Sequence, residues 1–162
     1  MPVVLLPSRH FHQPPTTIPL VSRKSGRIAE RIAGLDGRAF DPHYLGYFEC
    51  FNQGLFYEAH DVLEELWLAE RGKPDDAFYK GLIQLTGAFV HLRKNRLQPA
   101  ASLFRLARSY LERYPASGHL GLNVQTVLNL IDTWLARLTS ASGKANPLTK
   151  GKPPEIHLGL EV

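Results

Sequence analysis

The sequence predicts an all-α fold: a compact multihelical bundle of about five helices. Three observations carry that expectation. Apolar residues recur at helical spacing in five segments, turn-forming residues punctuate the joints between them, and strand-like alternation occurs only at the C-terminal end. A length of 162 residues with 44% hydrophobic and 21% charged residues suits one domain with tails rather than a disordered chain.

Asp41-Pro42 supplies an N-cap followed by proline at the first helical position, and Gly54 a stop, which predicts a first helix over 42–53. Leu55, Phe56, Ala59, Val62, Leu63, Leu66 and Trp67 define a second helix from Leu55 to about Glu70, ended by Gly72-Lys73-Pro74. Asp75 or Asp76 then caps a third, Ala77 to Lys94, apolar on most faces and therefore central. Pro99 and Tyr114-Pro115 bracket a fourth, and Asn123 caps a fifth that carries Val124, Val127, Leu128, Ile131, Trp134, Leu135 and Leu138 inward.

The ends differ in composition. Residues 1–26 hold five prolines and no acid and read as a flexible N-terminal arm, with too few arginines and too many prolines for a transit peptide. The bundle is expected over 27–139. Residues 140–162 read as a linker and an extended C-terminal segment, in which Ile156, Leu158, Leu160 and Val162 alternate with Glu155, His157, Gly159 and Glu161 and should lie across the bundle.

A constant offset along the chain aligns Phe48 with Phe89, Gly54 with Asn95 and Ala59 with Ala100, so the first two helices echo the next two. This gives tetratricopeptide-like helix pairs, although two degenerate copies fall short of a solenoid and the packing needs of any helix hairpin produce the same pattern.

Composition also excludes. The single cysteine, Cys50, rules out a disulfide framework or a cysteine-based zinc cluster and points to the cytoplasm. The run Val3 to Leu6 is too short to span a membrane, and no phosphate loop, nucleophile elbow or strand–helix alternation occurs. The net charge of +4 is partly explained by Arg93, Lys94, Arg96, Arg105, Arg108 and Arg113, a stretch that reads as a solvated helix face, so nucleic acid is not the expected partner.

Chemistry concentrates elsewhere. Eight of the fifteen acids lie between Glu49 and Asp76, densest from Phe56 to Trp67. At roughly 100° per residue, His60 and Glu64 fall together at the edge of the apolar stripe, while Glu58, Asp61 and Glu65 form a separate polar group. The third helix offers a matching strip of Lys80, Gln84, Gly87, His91 and Lys94. If the glycine side packs closely, Gln84 and His91 face His60 and Glu64 across a cleft.

That cleft has two readings. In one, His60, Glu64 and His91 bind a divalent metal such as zinc, and Glu58 or Asp61 assists a water molecule as base. In the other, His60, Glu64 and Gln84 form a structural hydrogen-bond network with the Trp67 indole nearby. The remaining histidines, His10, His12, His43, His119 and His157, have no partner at useful spacing and are not expected to be ligands.

The run Phe51-Asn52-Gln53-Gly54-Leu55-Phe56-Tyr57-Glu58-Ala59-His60-Asp61-Val62-Leu63-Glu64-Glu65-Leu66-Trp67, followed by Tyr79-Lys80-Gly81-Leu82-Ile83-Gln84-Leu85 and His91, closely resembles the domain-of-unknown-function family 309 over roughly residues 44–111. The resemblance implies a multihelical intracellular domain, some members of which carry a metal-dependent hydrolase label. The family positions present are Glu58, His60, Glu64, Trp67, Gln84 and His91, and Asp61 stands where glutamate is usual. The competing expectation is a non-catalytic interaction module whose helix pairs take a protein partner or a second copy of the chain.

Overall fold

The computed structural model describes residues 23–140, 145–149 and 151–159. Within them the chain forms six α-helices and no strand: α1 Arg23–Arg31, α2 Pro42–Asn52, α3 Phe56–Glu70, α4 Asp76–Arg93, α5 Leu97–Leu111 and α6 Val124–Ser140. A single 3₁₀ turn, Pro147–Thr149, precedes an extended segment. Among these residues, no helix is long and apolar enough to cross a membrane.

The capping expected from the sequence forms at α2 and α6 but not at α4, where N-cap Asp75 makes no side-chain capping bond and the Asp76 carboxylate turns back to Trp67 and Gly72. The Asp41 carboxylate accepts the His43 amide at 2.8 Å with Pro42 at the first helical position, and Gly54 ends the helix at φ +73°. Asn95, at φ +55°, makes the turn between α4 and α5, and the Asn123 side chain accepts the Thr126 amide at 3.0 Å to start α6.

Phe89 of α4 shows why this helix is central. Its ring meets Phe51 of α2 at 5.6 Å, Phe56 of α3 at 4.9 Å, Phe104 of α5 at 5.1 Å and Trp134 of α6 at 5.0 Å. The buried Tyr47 hydroxyl donates to the Leu82 carbonyl at 2.8 Å, and burial holds its acidity far below that of a free phenol. Short turns join α2 to α3 and α4 to α5 as hairpins, the compact pairs expected from the internal echo.

Two tail expectations meet the structure differently. The C-terminal segment lies on the bundle: Ile156 is buried, and its backbone donates to and accepts from the Asn52 side chain at 2.7 and 2.8 Å. Leu158 is half-buried while Glu155 and His157 face out, as alternation requires; Leu160 and Val162 lie outside the described residues. At the other end, α1 begins at Arg23, inside the stretch read as an arm; residues 1–22 lie outside the described residues. Only Ile28 is buried in α1, so it shows no apolar periodicity and depends on packing against α3.

Candidate functional site

Phe56, Ala59, Val62, Leu63 and Leu66 turn one side of α3 into the core. That leaves Tyr57, Glu58, His60, Asp61 and Glu64 on its outer side, over which α1 lies. Ligand atoms of His60, Asp61 and Glu64 all fall within 4.8 Å of one another. His60 Nδ1 lies 3.3 Å from Asp61 Oδ1, and all three residues are half-buried.

Lys24 of α1 enters this cluster. Its ammonium donates to Glu64 and sits 3.3 Å from Asp61. The hydrogen bond to Glu64, aided by Asp61 and opposed by partial burial, raises its pKa above the usual lysine value. Beside the cluster, α1 and α3 enclose an open groove of about 450 Å³ lined by Lys24, Arg27, Ile28, Glu30, Arg31, Tyr57, Glu58, Asp61 and Val62.

Of the residues expected on the two sides of a cleft between α3 and α4, those of α3 cluster without His91 of α4. Gly87 instead faces α5, where a Cβ would lie 3.0 Å from Leu103, and Lys80 reaches over the Tyr110 ring of α5 at 5.2 Å. Lys80 also lies over the Trp67 ring of α3 at 5.7 Å, so this strip borders both α3 and α5. His91 lies outside the ligand cluster, and its Nδ1 is buried without a hydrogen-bond partner among the described residues. Desolvation, reinforced by Arg96 and Lys94, lowers its pKa below the usual imidazole value.

Other assignments change with it. No hydrogen bond joins the Gln84 amide to His60 or Glu64 among the described residues: His60 pairs with Asp61 and Glu64 with Lys24. Trp67 donates its indole N–H to Asp76 at 2.6 Å, the same carboxylate that accepts the Gly72 amide at 2.8 Å, and so closes the α3–α4 turn. Asp61 belongs with His60 and Glu64 rather than with Glu58 and Glu65. His43 and His119, expected to lack partners, have them: His43 contacts Asp41 at 2.9 Å and Glu65 at 3.4 Å, and His119 contacts Asp75 at 2.7 Å.

Sequence reasoning missed Lys24, Arg27, Arg31 and Tyr57. The sequence offered no clear signal for them: three cations at i, i+3 and i+7 around a single isoleucine ordinarily mark a solvated helix face.

Fold and site together define an all-helical domain with an imidazole–carboxylate cluster on the outer side of a helix hairpin. Residues 44–103 match the family model described as "Domain of unknown function (DUF309)". The match takes in most of α2, all of α3 and α4 and part of α5, including the cluster residues on α3, and stops short of α1. No curated protein and no solved structure matches the chain.

Proposed function

We propose that the His60–Asp61–Glu64 cluster, beside the groove between α1 and α3, is the divalent-metal site of a cytoplasmic metal-dependent hydrolase, with Glu58 of the groove as base. The observation that carries this reading is the mutual reach of three ligand atoms, all within 4.8 Å. It moves Asp61 from base to ligand and drops His91.

One imidazole nitrogen and two carboxylate oxygens suit zinc or manganese and leave positions open for water and substrate. A divalent ion bound there supplies Lewis acidity, lowering the pKa of a water molecule and polarising the scissile bond. Asp61 orients the His60 ring through their 3.3 Å contact. Glu58, lining the same groove, accepts the proton of the attacking water and returns it to the leaving group.

Elemental analysis of untagged protein, desalted after incubation with Zn²⁺, tests the site. One metal per chain, lost in His60→Ala, is the expected result. A wild-type chain without metal refutes it.

The bridging of Asp61 and Glu64 by Lys24 favours a second reading, in which the cluster is a lock fastening α1 to α3 of an interaction module. Such a module retains its protein partner in the presence of a chelator and loses it when the helix pairs are altered.

A further inference from the structure

Lys24, Arg27 and Arg31 share one face of α1 with the buried Ile28, and all four line the groove against α3. A helix face turned to a neighbour is ordinarily apolar; this one carries three cations. Lys24 is engaged by Asp61 and Glu64. Arg27 and Arg31 have no carboxylate within 4.0 Å among the described residues, although Glu30 and Glu58 line the same groove.

Two exposed guanidiniums one helical turn apart are planar donor forks that match the oxygens of a phosphate. Beside them Tyr57, 62% exposed, offers an aromatic face to anything lying in the groove.

We propose that Arg27 and Arg31 form an anion seat and that the groove takes a small phosphate monoester, its phosphoryl oxygens on the guanidiniums and its organic group on Tyr57. The inference names a substrate class for the hydrolase reading and rests on that reading for its metal-dependent part. A divalent ion at His60, Asp61 and Glu64 competes with the Lys24 ammonium for the same carboxylates. Its binding frees Lys24 to join Arg27 and Arg31, so metal and phosphate bind with positive coupling.

Calorimetric titration of the full chain with phenyl phosphate, with and without Mn²⁺, tests this, with benzoate as the carboxylate control. Phenyl phosphate is expected to bind more tightly than benzoate and tighter still with Mn²⁺, and Arg27→Gln and Arg31→Gln should each weaken it about tenfold. Circular dichroism checks that these exposed-site variants remain folded. Wild-type affinity in both variants, benzoate binding as tightly as phenyl phosphate, or no binding in either metal state overturns the proposal. Arginine-dependent phosphate binding without any Mn²⁺ uptake refutes the metal site and supports the anion seat. Mn²⁺ uptake with arginine-independent phosphate binding does the reverse.

Discussion

Replacing Lys24 by methionine should weaken the fold slightly and strengthen metal binding, two effects of opposite direction from one lost charge. The ammonium bridges Asp61 and Glu64, the oxygens a divalent ion needs. The Lys24 side chain is 44% exposed, against 19% for Asp61 and 30% for Glu64, so solvent screens the bridge. Pairs of this kind are worth about 0.2–1 kcal/mol each. A metal that displaces both therefore forfeits roughly 0.4–2 kcal/mol, about a 2- to 30-fold loss of affinity that Lys24→Met removes. Methionine keeps an unbranched apolar stem, so the change is chiefly one of charge. Titration of Mn²⁺ into both chains reads the affinity, and urea unfolding without metal reads the stability. Unchanged or weaker Mn²⁺ binding in a folded Lys24→Met chain would refute the idea that lysine and metal share one seat.

Three further predictions concern α4. At Gly81 an added Cβ would lie 2.8 and 2.9 Å from the fully buried Leu111, so Gly81→Ala should lose about 1 kcal/mol, overpacking outweighing the gain in helix propensity. At Gly87 the contact is the tip of half-buried Leu103 at 3.0 Å, which has room to shift, and Gly87→Ala should gain about 0.5 kcal/mol; urea midpoints that fail to move in opposite directions contradict this. His91, with its pKa lowered on folding, is protonated first in the unfolded chain, so its contribution to stability is present above the unfolded value near 6.5 and is lost as pH falls through it toward the lower folded value. Wild-type protein should consequently lose more stability than His91→Gln between about pH 7.5 and 5.5; parallel pH profiles would show that His91 carries no such linkage.

The helices from Pro42 onward were legible because their signals are local: an aspartate–proline start, a glycine stop, an apolar stripe. α1 was not, since one buried isoleucine makes no period and the helix depends on α3, distant in sequence. Within the site, the one-turn spacing of His60 and Glu64 could be read directly. Asp61 could not, because adjacent helical residues diverge by roughly 100° on a wheel while side-chain torsions close the gap to 3.3 Å. The glycine on α4 correctly signalled a close approach, but a missing Cβ does not say which helix approaches; it was α5 rather than α3.

The two tryptophans differ in burial. Trp134 is buried against Phe89 with Arg137 over its ring at 5.0 Å, whereas half-buried Trp67 bonds to Asp76 and has Arg71 and Lys80 over its ring at 5.4 and 5.7 Å. Fluorescence from this chain therefore carries two separable reports: a blue-shifted emitter that changes when the core opens, and a polar one that responds when the α3–α4 turn loosens. A single-tryptophan variant of each kind turns that pair into independent gauges of global and local melting.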